Sequence, residues 1–171
     1  MHLAFLGVLA AASGVQAEPS IDLSVKAAYL GKLAPFVSWP ASPAAANAPF
    51  VVCVQGDDPF GPVLDRALAG QSVLARPVVV RRVGRLAPDS GCQIAYVAGS
   101  ADQSQAAALH AVAGAPVLTV TDADRGSGAH GIVDLVLSEG RVKFSVDLAQ
   151  ARQNGLSISS KLLALAVKVT R

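Results

Sequence analysis

The spacing of apolar positions changes several times along the chain, and each change marks an element. Leu23, Ala27, Leu30, Ala34 and Val37 recur at helical spacing and predict an amphipathic helix over 22–37. Gly31 and Pro35 weaken that helix. Pro35 should kink it or end its regular hydrogen bonding early, because proline has no backbone N–H. Trp39-Pro40 closes the segment, and 41–49 is a Pro/Ala loop. Phe50 to Val54 is an unbroken apolar run, as expected of a strand buried on both faces. Asp58 as N-cap and Pro59 as first helical residue then predict a helix to about Leu68, stopped by Gly70.

Short strands are expected at Ser72–Ala75 and Pro77–Val83, and a buried strand at Ile94–Ala98. The Ala-rich stretch 103–112 predicts a helix that ends at Gly114, and Pro116–Val120 predicts a further strand. Ile132–Leu137 and Val142–Val146 flank Ser138-Glu139-Gly140-Arg141, a hairpin signal. Asp147 to Gln150 reads as a capping-box-like helix start, closed by Gly155. Ser159 should cap a last helix running to about Lys168. Strands alternating with helices, then a hairpin, imply a single α/β domain. Its expected core is a mixed parallel/antiparallel β-sheet flanked by helices, with the C-terminal β-hairpin followed by helices. No linker long enough to divide it and no repeat is present.

Composition narrows the class. The 171 residues are 52% hydrophobic and only 15% charged, and the mean hydropathy is +0.46. That raises the question of a membrane protein, yet a spanning helix needs about 20 consecutive apolar residues, and nothing past residue 17 approaches that length. A net charge of +2 without a basic run excludes an electrostatic binder of nucleic acid or anionic lipid. The hydrophobicity also excludes low-complexity disorder. Residues 1–17 lack Asp, Glu, Lys and Arg, carry an apolar stretch from Leu3 to Ala12, and end Val15-Gln16-Ala17 ahead of Glu18. This reads as a signal peptide cleaved near Ala17, so that residues 18–171 are expected to be exported with no segment left to insert in the membrane. Its n-region has only the α-amino group and His2 for positive charge, and a buried N-terminal helix is the alternative. Cys53 and Cys92 are the two cysteines. In an oxidising compartment they read as one disulfide closing a loop of about 40 residues, worth about 4 kcal/mol in the chain-entropy picture. Two reduced core thiols are the alternative. A metal is disfavoured, because neither cysteine has a C-x-x-C or C-x-x-H neighbour.

Catalytic motifs mostly fail on context. Gly126-Ser127-Gly128-Ala129-His130-Gly131 spells a dinucleotide fingerprint, but it leads into a strand where phosphate binding needs a helix N-terminus. Asp122 and Asp124 have calcium-loop spacing, but Gly126 and Val133 stand where oxygen ligands are required. Asp122 more simply ends a strand and caps a turn. Asp57 and Asp58 are explained by capping and solvent. His110 is expected on a helix surface, and His130 in the glycine loop is the better candidate for ligand contact. Lys161 follows Ser160 directly, and Ile158 replaces the serine that S-x-x-K requires, so no serine–lysine pair forms. G-x-S-x-G is absent. No catalytic residue, cofactor or metal is assigned, and the chain is not expected to be an enzyme.

A resemblance carries more than these motifs. Tyr29-Leu30, Phe36-Val37-Ser38-Trp39-Pro40 and Val52-Cys53-Val54-Gln55-Gly56-Asp57-Asp58-Pro59-Phe60-Gly61 belong to it. So do Gly91-Cys92-Gln93-Ile94, Pro116 to Asp122, Gly131-Ile132 and Leu135-Val136. The densest stretch runs from Arg141-Val142-Lys143-Phe144 through Ala151-Arg152 to Gly155-Leu156-Ser157-Ile158-Ser159-Ser160-Lys161-Leu162-Leu163. In order and spacing these blocks resemble the YfiR-type periplasmic proteins, named for the repressor of the inner-membrane diguanylate cyclase YfiN.

The resemblance implies a periplasmic mixed-sheet domain, a disulfide matching Cys53–Cys92, and a tendency to form a homodimer. Some relatives have a second cysteine pair; this chain does not, so redox control would rest on Cys53 and Cys92 alone. It also implies binding to the periplasmic sensor domain of a membrane diguanylate cyclase, holding cyclic-di-GMP synthesis down until redox or envelope stress intervenes. Tyr29, Phe36 and Trp39 are the candidate apolar anchors for such a partner, since buried aromatics dominate interface energy; the alternative is that these rings fill the core. A second class stays open, a small-molecule sensor module acting on another membrane signalling protein. There Arg152, Ser157, Ser159 and Lys161, with His130, would surround an anionic ligand.

Overall fold

The structure is a computed structural model that describes residues 20–41, 48–125 and 127–171. The expected signal peptide and most of the loop after Trp39 lie outside the described residues. An eight-stranded mixed sheet forms the centre, in the order β10-β8-β7-β6-β5-β2-β4-β3. Its strands are β2 (Phe50–Gly56), β3 (Ser72–Val73), β4 (Arg76–Val83), β5 (Ile94–Gly99), β6 (Leu118–Asp122), β7 (Val133–Ser138), β8 (Arg141–Asp147) and β10 (Lys168–Thr170). β4, β2, β5, β6 and β7 run parallel, β8 pairs antiparallel with β7, and β10 lies parallel to β8. A separate two-stranded ladder joins β1 (Val37–Ser38) to β9 (Ser157–Ile158).

The buried runs of the sequence become the central strands because their two faces meet different layers. Phe50, Val52 and Val54 of β2, with Ile94 and Tyr96 of β5, pack under α1 (Ile21–Leu33) and α2 (Pro62–Leu68). Val51, Cys53, Ala95 and Val97 face the other way, under α3 (Gln105–Ala111). Cys53 and Cys92 are joined in a disulfide with Cα atoms 5.8 Å apart. Helix α1 stops being α-helical after Leu33, and Ala34–Phe36 form a 3-10 turn, the early end that Pro35 predicted. Gly31, expected to weaken the helix, has a packing use. A Cβ there would lie 2.6 Å from Leu68 Cδ2 and 2.7 Å from Gln71 Oε1, so glycine lets α1 and α2 approach closely. Glu139 and Gly140 form the two-residue hairpin turn with φ of 54° and 71°, the twist that tight hairpins require.

Four boundaries differ from expectation. Asp58 does not cap α2; its Oδ1 accepts from Phe60 N at 2.7 Å in a local turn, and the helix begins three residues later at Pro62. Strand β3 ends at Val73, because Leu74 and Ala75 turn with positive φ. Helix α3 begins at Gln105, capped by Ser104. The last helix, α5 (Ser160–Leu163), is short, and Lys168–Thr170 forms β10 instead of its end. Pairing with β8, which no local pattern announces, draws these residues into the sheet. The caps at Asp147 on α4 (Leu148–Gln153) and at Ser159 on α5 form as the sequence indicates.

Candidate functional site

Helix α1 is apolar on both sides. Ala27, Leu30 and Leu33 are fully buried against the sheet, while Ile21 is 85% exposed and Val25 37% exposed on the outside. Between this helix, β8 and the C-terminal segment runs a groove of about 450 Å³, floored by Leu33, Val142, Phe144 and Leu162. Tyr29, Phe36, Leu165 and Val167 form its walls, with Lys32 and Lys143 at the rim. Tyr29 is fixed there, its hydroxyl donating to Val142 O at 3.3 Å and its ring edge-on to Phe144 at 5.7 Å. Lys143 is neutralised by Glu139 at 2.9 Å, whereas Lys32 makes no ion pair among the described residues. The adjoining outer face of α1, with Ile21 and Val25, shares Tyr29 and Lys32 with the groove. The two form one continuous apolar face on which Leu165 is 68% and Val167 57% exposed.

The three aromatic candidates divide. Tyr29 and Phe36 share the groove, half-buried, while Trp39 opens into a different cleft of about 680 Å³ with Arg76, Arg81 and Gln93. Trp39 Nε1 donates to Gln93 O at 3.2 Å, and its ring stands edge-on to Phe50 at 5.3 Å. All three rings also pack against the buried core, so each has a structural share.

The polar candidates divide as well. β1 and β9 pair Val37 with Ile158 and Ser38 with Ser157, and Ser159 N donates to Phe36 O at 2.8 Å. The segment carrying Ser157, Ser159 and Lys161 therefore lies directly beside Phe36 and Trp39. The Ser159 hydroxyl is spent on capping Lys161 N at 3.2 Å. Arg152, Ser157 and Lys161 are exposed, and their side chains make no hydrogen bond among the described residues. His130 lies on the loop before β7, where its carbonyl accepts from Gln150 Nε2 of α4 at 3.3 Å. Its Nδ1 is 2.8 Å from Asp134 Oδ2, and Thr121 Oγ1 donates to the other oxygen of that buried carboxylate at 2.8 Å. His110 lies on the exposed face of α3, as expected.

One charged site is invisible to local sequence reading. Lys26 is 5% exposed within α1, and its Nζ lies 2.7 Å from Asp122 Oδ2 and 3.3 Å from Asp124 Oδ2. Burial works against the charged amine, but the carboxylates outweigh it and hold the Lys26 pKa above its ordinary value. The partners are 96 positions apart in sequence, so only the strand order reveals them. Asp122 Oδ1 also accepts from Asp124 N at 3.1 Å, ending the strand and capping the turn. Ligands of open parallel sheets enter where neighbouring crossovers leave in opposite directions, here between the carboxyl ends of β2 and β5. That opening is closed by backbone, with Asp57 N donating to Gly99 O at 2.9 Å. Gln55 seals it further by accepting from Gly99 N at 3.0 Å and donating to Gln103 O at 3.2 Å.

Fold and surface together define an α/β domain with an open apolar face. No helix among the described residues is long and apolar enough to cross a membrane. The profile of the YfiR/HmsC-like family matches residues 23–167, and the chain belongs to that family. Comparison with curated proteins found no match. At the level of the family the chain is a periplasmic regulator of diguanylate cyclase signalling, a regulatory role exercised through a membrane signalling protein.

Proposed function

We propose that the chain binds the periplasmic sensor domain of an inner-membrane diguanylate cyclase and represses cyclic-di-GMP synthesis. A regulator without chemistry of its own can shift a cyclase between states only by its difference in affinity for them. The observation that carries the reading is the continuous apolar face around Tyr29 and Phe36, which holds exposed Ile21, Leu165 and Val167. Large exposed apolar patches on soluble domains mark interaction sites. Trp39 contributes from the neighbouring cleft, across the β1–β9 ladder. Reduction of Cys53–Cys92 loosens the domain and releases the partner. A Cys53→Ser/Cys92→Ser double variant that folds equally well and represses normally under reducing stress would sink this redox clause.

The test is co-expression with a membrane diguanylate cyclase that carries a periplasmic domain, with cellular cyclic-di-GMP as readout. The unaltered chain lowers it several-fold, and Tyr29→Ala/Phe36→Ala does not, at equal periplasmic abundance. Equal lowering by both would remove the apolar face from the mechanism. The unpartnered Arg152, Ser157 and Lys161 side chains support a second reading, a small anionic ligand held beside β9. A screen of nucleotides and amino acids for a rise in melting temperature, abolished by Arg152→Ala, tests it.

A further inference from the structure

The opposite edge of the sheet carries a second surface. β3 covers β4 for two residues only, pairing Ser72 with Pro77 and Val73 with Arg76, and Val78 N donates to Gln71 O at 3.0 Å. Beyond Val78 no strand follows on that side among the described residues. Backbone groups alternate sides along a strand, so the N–H and C=O of Val80 and Arg82 point the way Val78 N does. They find no partner among the described residues, while β4 keeps its full ladder to β2 on the other side. At the end of this edge Leu74 and Ala75 hold φ of 52° and 61°. Glycine or asparagine ordinarily supplies that conformation. Here the strained turn presents a leucine that is 75% exposed, and Val79 farther along β4 is 36% exposed.

Charge selects the occupant. Arg81 stands on this edge strand, with Arg76 at its start and Arg85 just past its end, and their guanidinium groups donate to backbone carbonyls of Ser90, of Ala48 and Pro49, and of Asp102. Among the described residues none of the three meets a carboxylate. Arg82 alone is neutralised, by Asp58 at 2.9 Å and Asp65 at 2.6 Å. A second copy pairing edge to edge would bring these uncompensated arginines together, and like charges across a ladder are destabilising. An acidic strand would meet them with opposite charge.

We propose that the open edge of β4, with the Leu74–Ala75 turn, is a second docking surface that takes an extended acidic segment of a partner protein as an added strand. Main-chain hydrogen bonds to Val80 and Arg82 supply the pairing, and alternate side chains meet Val79 and Arg81. The edge pairing lies at the other end of the sheet from the Tyr29 groove, although Leu74, Arg76 and Arg81 also line the cleft into which Trp39 opens.

The experiment titrates the purified protein with a fluorescent ten-residue peptide of alternating valine and glutamate, read by anisotropy and by amide hydrogen exchange. Saturable binding is expected, with exchange at the Val80 and Arg82 amides slowed at least tenfold. Arg81→Glu should weaken binding tenfold or more, as should Val80→Pro, which removes an outward N–H without touching the β2 ladder. A peptide with lysine in place of glutamate should not bind. Where Val80→Pro fails to fold, the exposed Arg81→Glu and the two amides still decide. Unchanged exchange at Val80 and Arg82, equal binding of the lysine peptide, or indifference to Arg81→Glu would overturn the proposal. Protection of these amides that rises with protein concentration alone would overturn it in favour of self-pairing.

Discussion

The two faces of the central sheet are built on different terms. The face under α1 and α2 is filled with large side chains, Phe50, Tyr96, Leu30, Leu64 and Phe144 among them, and with edge-to-face rings such as Phe60 against Tyr96 at 4.7 Å. The face under α3 is made of valines, alanines and the two cysteines, with Leu86 as its bulkiest member. Large side chains stabilise by area removed from water. Small ones bury less, and the disulfide adds there what packing does not. The richly packed face also runs on into the exposed surface of Tyr29, Phe36, Leu165 and Val167, so the side that holds the fold together is the side that offers a partner a place to dock. A redox event at Cys53–Cys92 acts on the thinner face.

The largest effect should come from the packed side. Phe50→Ala removes a ring that carries Trp39 at 5.3 Å and the Arg76 guanidinium at 5.6 Å. It should cost about 3–5 kcal/mol in denaturant unfolding. A loss under 1 kcal/mol would mean that this face is not the main core. Next, Cys53→Ala/Cys92→Ala should cost about 2–4 kcal/mol, from a loop of 39 positions closed in the unfolded chain. Reducing agent should produce the same fall in the unaltered chain and none in the double variant.

Lys26→Met comes third, at about 2 kcal/mol. That is below the loss typical of a fully isolated buried pair, because Asp122 keeps the Asp124 amide as a donor. The Lys26 pKa is raised in the fold, so its contribution is complete below about pH 10.5, the free-lysine value, and is lost as pH climbs through the higher folded value. Alkaline unfolding of the unaltered chain should be steeper than that of the variant over that window. Smallest is Gly31→Ala. Better helix propensity is opposed by contact with Leu68 and Gln71, for a net loss of about 1 kcal/mol by overpacking. A gain in melting temperature would show that the side-chain ends of Leu68 and Gln71 simply move aside.

How far the sequence could be read depends on how local each cause is. Phe50–Val54 and Ile94–Ala98 announce themselves as buried strands because both of their faces are covered. Glu139-Gly140 does the same for the hairpin, and Asp147 and Ser159 for their helices. β10 was hidden, because Lys168–Thr170 becomes a strand only through β8. Asp58 misled because Asx turns and N-caps use the same side-chain acceptor, and the left-handed Gly61 delays the helix. The site was legible by halves. Tyr29 and Phe36 lie together, but Leu165, Val167 and Ile21 complete their surface from segments that no single pattern joins. The ladder placing Ser157 beside Trp39, and the ion pair of Lys26, come from chain topology alone.

The central claim is that the Tyr29–Phe36 face binds the periplasmic domain of a membrane diguanylate cyclase. Isothermal titration of the purified protein into such a domain tests it most directly, with Tyr29→Ala/Phe36→Ala and, on the exposed face of α3, His110→Ala run alongside. The account predicts saturable binding that the double variant weakens at least tenfold and His110→Ala leaves unchanged, all three proteins melting within a few degrees of one another. Binding of equal strength by the double variant would contradict it.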